Sequence, residues 1–239
     1  MSGKVGSKRY VKAAALVDQK TTYPLDKAVS ILKEMAGTKF NETVEISASL
    51  QMDSKKTDQV VRGTVVLPHG TGTVRRVVVF CKGEKELQAK EAGADVVGGS
   101  ELIDKVQGGW MDFDVAVSTP DMMREVSRLG KILGPRGLMP SPRAGTVTDD
   151  VAKAVKDVKQ GKVEFKMDKL GNIHFVIGKR AFEPKQLVEN GQVALEAIVR
   201  ARPASLKGRM IKRLSLSSTM SPGIPLKTEG LEADTTRED

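Results

Sequence analysis

The apolar residues of this chain keep three different periods in succession, and that order constrains the fold more than any other feature. Val44, Ile46, Ala48 and Leu50 alternate with Glu45, Ser47, Ser49 and Gln51. A period of two predicts a strand in a sheet with one wet face. Before it, residues 24–36 carry Leu25, Ala28, Val29, Leu32, Met35 and Ala36 at helical spacing, with Pro24 suited to a first turn and Gly37 to a C-cap. A second strand is expected over 60–67, ending at Pro68-His69-Gly70.

Beyond that proline, residues 76–81 form an unbroken, mostly β-branched run, as expected of a strand covered on both faces. Helical patterns at 84–91, 101–106, 121–133 (Asp121 near its cap) and 148–159 (Thr148 as cap) alternate with short strands at 94–97 and 113–117. Strand and helix in turn predict a parallel sheet. Then the period of two returns. Val163, Phe165 and Met167 answer Ile173, Phe175 and Ile177 across Lys169-Leu-Gly-Asn172, which predicts a β-hairpin with a glycine turn. A helix is expected over 184–201, with Pro184 in its first turn and Gly191 weakening it, and a last strand over 210–217.

The fold class that follows is α/β with two domains: a split α+β two-layer domain and an inserted Rossmann-like three-layer α/β domain. Residues 1–67 and 161–226 make the two halves of the first, and 68–160 the insert. The crossings near 67–68 and 160–161 are expected to act as hinges. Residues 2–12 read as a flexible basic arm with Lys4, Lys8, Arg9 and Lys12, and 227–239 as a disordered acidic tail.

The formal net charge of +9 favours a polyanionic partner, and its placement says which part would meet it. Residues 161–226 hold 12 Lys/Arg against 5 Asp/Glu, whereas 68–160 hold 14 against 13. The split domain is therefore the basic one. No apolar run is long enough to span a bilayer, and the N-terminus has no apolar segment of a secretory signal, so no membrane partner is expected. The single cysteine, Cys81, reads as a buried reduced thiol of a cytosolic protein.

Catalytic signatures are missing. His69 and His174 are far apart and have no cysteine pair, so no zinc site or other cofactor is expected. There is no Gly-x-x-x-x-Gly-Lys-Ser/Thr loop and no Gly-x-Ser-x-Gly elbow. Gly93-Ala-Asp-Val-Val-Gly98-Gly99 follows a helix and reads as turn chemistry. The proline-rich stretch from Ile132 to Thr146, with Arg136, Gly137, Arg143 and Gly145, is either a phosphate-facing loop or a plain connector. Glu164, Lys166 and Asp168 fall on the hairpin face opposite the core. The last strand would add Arg209, Arg213, Ser215, Ser217 and Thr219 to the same sheet. A polar and basic sheet face can follow an RNA backbone and its 2′-hydroxyls. Aromatic residues are only 4%, which favours recognition of a folded RNA by shape over stacking on single strands.

Six segments carry a family resemblance: Lys39-Phe-Asn-Glu-Thr-Val-Glu45, Arg62-Gly-Thr-Val, Leu67-Pro-His-Gly-Thr-Gly72, Gly108-Gly-Trp-Met-Asp-Phe-Asp114, Ile132-Leu-Gly-Pro-Arg-Gly-Leu-Met-Pro140 and Ala144-Gly-Thr-Val. In this order, over about residues 8–226, the chain resembles the bacterial ribosomal protein L-one family, the protein of the mobile lateral stalk. The resemblance implies a non-enzymatic, cytoplasmic, ribosome-associated constituent of the large ribosomal subunit, monomeric when free. It implies binding to large-subunit rRNA, help in releasing deacylated tRNA from the exit site, and repression of its own operon mRNA. The RNA-binding positions it implies are Lys39, Phe40, Glu42 and Thr43, then Glu164, Lys166, Asp168, Lys169 and His174, then Thr219, Met220 and Ser221. The family pattern Thr-Met-Gly stands here as Thr219-Met220-Ser221. The alternative is an α/β enzyme acting on a nucleotide or phosphorylated substrate through the insert.

Overall fold

The structure, a computed structural model, describes residues 6–52, 61–203, 206, 208–228 and 231. Lys4 of the expected arm, Val60 of the second strand, the side chain of Arg143 and the expected tail other than 227, 228 and 231 lie outside that set. The chain packs as two compact units that divide between Gly72 and Thr73 and between Lys162 and Val163.

The split unit is built on strand β1 (Thr43–Leu50), whose alternation is realised residue by residue: Val44, Ile46, Ala48 and Leu50 are buried. It lies inside a four-stranded antiparallel sheet with β7 (Asn172–Lys179) on one side and β8 (Ile211–Ser218) then β9 (Ile224–Leu226) on the other. Helices α2 (Leu25–Glu34) and α8 (Pro184–Arg200) cover one face with Leu32, Leu187 and Ile198. Pro184 occupies the first turn of α8, where its missing N–H costs nothing. Gly191 has a packing reason: a Cβ there would lie 2.9 Å from Leu25 and 3.5 Å from Ile46, so glycine lets the helix sit close to the sheet.

Several expectations are corrected here. The strands on either side of Lys169–Asn172 are not hairpin partners: β6 (Lys162–Lys166) pairs with β2 (Arg62–Val66) in a separate two-stranded sheet, while β7 pairs with β1. Only the turn survives, closed by Asp168 N–H to Asn172 O at 2.8 Å and Gly171 N–H to Asp168 O at 3.2 Å. Phe165 and Phe175 nevertheless share one core, with ring centroids 5.6 Å apart. Part of the expected arm is helix α1 (Lys8–Ala14), which buries Ala13 and donates Tyr10 N–H to the capping Ser7 Oγ at 3.3 Å. Pro24 is the N-cap of α2 rather than its first turn, and Met35, not Gly37, is its C-cap. Leu231 packs against the core of this unit.

The second unit has a three-stranded parallel sheet in the order β4 (Val96–Gly98), β3 (Val77–Phe80), β5 (Val115–Ser118). All four residues of β3 are buried, as a strand covered on both faces requires. Val78 and Phe80 pack on one side with α4 (Ser100–Gln107), and Val77 and Val79 on the other with α3 (Glu84–Glu91) and α7 (Val151–Gln160). Cys81 is fully buried there, and burial pushes its thiol up to about 11. The helix expected over 121–133 is broken into α5 (Met123–Val126), a 3-10 turn and α6 (Gly130–Leu133), with Met122 at its cap. Asp150, not Thr148, caps α7 by accepting from Lys153 N–H at 3.0 Å. The Gly93–Gly99 stretch starts after α3 as expected, but Gly98 and Gly99 do end a strand and open α4. Within the proline-rich stretch, Thr146 Oγ1 accepts from Ser141 N–H at 2.8 Å, so that loop carries its own hydrogen bonds.

Candidate nucleic-acid interface

The four-stranded sheet turns one face to helices and the other to solvent. Register fixes the wet face in rows. His174, Ser47, Ser215 and Pro225 stand side by side, with Ser47 Oγ 3.0 Å from His174 Nδ1. Asn172, Ser49 and Arg213 form the next row, and Val176, Glu45 and Ser217 the row on the other side. Short hydroxyls on flat backbone let an RNA strand approach closely, and each can donate to a phosphate or accept from a 2′-hydroxyl. Ser47 and Ser49 were absent from the resemblance-based positions. Their signal lay in the alternation itself, which marked them as solvent-facing.

At one end of the sheet the loops converge on Glu42, which is fully buried. Its Oε1 accepts from Thr38 N–H at 2.9 Å and lies 3.6 Å from Arg180 Nη1. Its Oε2 accepts from Ser218 Oγ–H, and from Met220 N–H at 3.3 Å. Burial alone would push this carboxyl up, but hydrogen bonds from Ser218, Thr38 and Met220 outweigh it and hold the group below the usual glutamate range. One carboxylate thus ties the loop before β1 to the turn after β8. Thr43 and Thr219 complete the tie: Thr219 N–H donates to Thr43 O at 3.0 Å, and Thr43 N–H to Thr219 Oγ1 at 3.1 Å.

On this rim Lys39 is exposed, and Phe40 and Met220 are about half exposed, although both are apolar. Lys179 Nζ donates to Thr43 Oγ1 at 2.8 Å and adds a cation beside them. Ser221 has an ordinary backbone conformation, since no residue other than glycine has positive φ among the described residues. Its Oγ accepts from Ser218 N–H at 2.8 Å and closes the turn.

The twelve candidate positions therefore divide. Lys39, Phe40, Glu42, Thr43, Thr219, Met220 and Ser221 come together at one end of the sheet, with Glu42 beneath the surface rather than on it. His174 stands in the middle of the wet face. Asp168 and Lys169 lie at the turn before β7, at the opposite end, a strand length of about 25 Å away. Asp168 is occupied: it accepts from Asn172 N–H at 2.7 Å and Leu170 N–H at 2.8 Å, which hold its carboxyl below the usual range. Glu164 and Lys166 are exposed on β6, in the other sheet of this unit. Among the described residues no three His, Cys, Asp or Glu gather into a metal-binding group, and no helix is long and apolar enough to cross a membrane.

Comparison with known proteins matches residues 32–222 to the model of the Ribosomal protein L1p/L10e family. Similar relatives include the large ribosomal subunit protein uL1 of Kosmotoga olearia, 56% identical over 92% of this chain and 95% of the relative. The proteins of the same name from Rhodococcus erythropolis and Beutenbergia cavernae are 53% and 54% identical, over 92% and 95% of this chain and 92% and 97% of theirs.

Proposed function

The chain belongs to the Ribosomal protein L1p/L10e family, and on that premise we propose that it is a structural constituent of the large ribosomal subunit whose split unit holds a folded region of large-subunit rRNA. The observation that carries this reading is the solvent face of the four-stranded sheet. It carries the hydroxyls of Ser47, Ser49, Ser215 and Ser217 with His174 and Arg213, beside Asn172, Glu45 and Val176, and is bounded by a rim that a buried glutamate ties together. Such a surface suits backbone and 2′-hydroxyl contacts to a folded RNA.

In this reading Lys39, Phe40, Thr43, Thr219, Met220 and Ser221 touch the RNA at the rim, and His174 touches it at mid-sheet. Lys169, Lys166 and Glu164 extend the contact beyond the far end. Glu42 and Asp168 act through the loops they order. Ser47, Ser49, Lys179 and Arg213 join the contact set. The protein works on the ribosome in the cytoplasm, assists the departure of deacylated tRNA from the exit site, and represses its own operon mRNA through an RNA structure similar to the ribosomal one. Opening and closing between the two units accompanies the tRNA step. Neither a metal nor a cofactor takes part.

The test is titration of the whole chain with a large-subunit rRNA fragment at two salt concentrations, beside a plain RNA duplex of equal length. Binding that prefers the fragment and weakens steeply with salt supports the reading. Affinity indifferent to salt, or equal for the plain duplex, would end it.

A further inference from the structure

Strand β8 breaks its own alternation, and the break has a consequence for ligand binding. Ile211 pairs with Leu50 and Arg213 with Ser49, so Lys212 is the extra residue of a bulge. Lys212 and Arg213 are consequently both exposed, where strict alternation would have buried one of them. Bulges commonly re-aim a side chain in this way beside functional sites. Neither cation makes an ion pair among the described residues.

The two cations border a cleft of about 880 Å³ formed by α1, β8, β9 and the segments around Thr22 and Gly223. Its volume is within the range of small-ligand sites. Among the described residues no Asp or Glu lines it. Tyr10 contributes a partly exposed ring, while the half-buried Pro225 and the largely buried Pro222 add apolar atoms to the lining. Thr22 and Ser215 contribute hydroxyls, while the Gln19 amide nitrogen is already engaged with Gly223 O at 3.0 Å. Ser215 belongs to the row that runs through Ser47 to His174, so the cleft continues the wet face of the sheet.

We propose that this cleft receives one unpaired nucleotide of the bound RNA, with its base against Tyr10 and its phosphate toward Lys212 and Arg213. The inference rests on the RNA reading of the split unit and adds a subsite to it. An aromatic ring, apolar walls and paired cations are what a splayed-out nucleotide requires. A bare phosphate would leave the ring and prolines unused, and a base-paired strand cannot enter a cleft of this size. A chain poor in aromatic residues can still stack a single base where its RNA presents one.

The test uses the full chain and the same rRNA fragment. Tyr10→Leu keeps bulk and helix propensity but removes the ring, and it raises Kd about tenfold with the salt dependence unchanged. Tyr10→Phe, which keeps the ring, restores most of that loss. Lys212→Gln lowers the slope of log affinity against log salt by about one counterion. In parallel, adenosine and uridine monophosphates are titrated into the free chain and followed by amide shifts at Thr22 and Ser215. Inorganic phosphate is the control. Shifts with the nucleotides beyond those with phosphate support the cleft even if the rRNA fragment does not bind, an outcome that would overturn the RNA reading instead. Binding by Tyr10→Leu equal to that of the native chain, or shifts from phosphate as large as those from the nucleotides, would overturn the subsite.

Discussion

The two units each contain a sheet, and the sheets spend their faces differently. In the second unit β3 sends Val78 and Phe80 to one helical layer and Val77 and Val79 to the other, so both faces are consumed by core. In the split unit β1 gives Val44, Ile46, Ala48 and Leu50 to the helices and leaves Glu45, Ser47 and Ser49 in water. A parallel sheet built by helical crossovers has no broad face left for a large partner, whereas a one-sided antiparallel sheet has one. The difference teaches where a macromolecular ligand can be held broadly, and the charge agrees, because the second half of the split unit carries the excess of cations.

The sharpest way to break that comparison is to damage each core separately. Phe80→Ala and Phe175→Ala both remove a fully buried ring and should each cost about 3–5 kcal/mol of stability in their own unit. Only Phe175→Ala should weaken binding to the rRNA fragment, because only that ring underlies the wet face. Chemical denaturation followed in each unit, with titration below the transition, measures both. If Phe80→Ala weakens binding equally, the second unit is part of the RNA site.

Next in size is Glu42→Gln, which leaves Arg180 facing a neutral group and trades an acceptor for a donor opposite Thr38, Ser218 or Met220. It should cost about 2–4 kcal/mol and loosen the rim. The pH sign follows from the depressed carboxyl. Glu42 gives its full stabilisation above the ordinary glutamate range and loses it as pH falls through its lowered folded value. The acid limb of stability against pH should therefore be shallower in Glu42→Gln than in the native chain. Equal limbs would show that Glu42 is not held ionised.

How much of this was legible in the sequence depends on the range of the interaction. The faces of β1, β6 and β7 could be read, because alternation is local. The partners of β6 could not: Val163, Phe165 and Met167 say which side is buried but not which strand lies alongside, and β2 is distant in the chain. Glu42 looked like a surface contact because the groups that justify its burial, Arg180, Ser218 and Met220, come from far along the chain. Helix α1 and strand β9 were too short to show a period, and β9 carries a proline. The paired exposure of Lys212 and Arg213 needed the register of β8 against β1.

A smaller effect separates charge from shape on the wet face. Arg213→Gln should reduce the slope of log affinity against log salt by about one while leaving stability nearly unchanged. The same change at Arg136, exposed in the second unit, should leave the slope as it is. Matching losses from both would mean that the RNA is held by both units rather than by the open sheet.

The smallest effect concerns Ser221, where the resemblance implies glycine. Two reasons could make glycine preferable: a left-handed backbone, or an RNA approach too close for a side chain. The first does not apply, because Ser221 has no positive φ. Its hydroxyl also closes the turn by accepting from Ser218 N–H at 2.8 Å and donating to Pro222 O at 3.0 Å. Ser221→Gly should therefore lower stability by about 1 kcal/mol, the net worth of such a bond plus the added freedom of glycine. If the second reason holds, the same substitution raises RNA affinity while it lowers stability, and the rim at Met220 is then the place of closest approach. If affinity and stability fall together, the serine orders the rim for its ligand through the hydrogen bonds that close its turn.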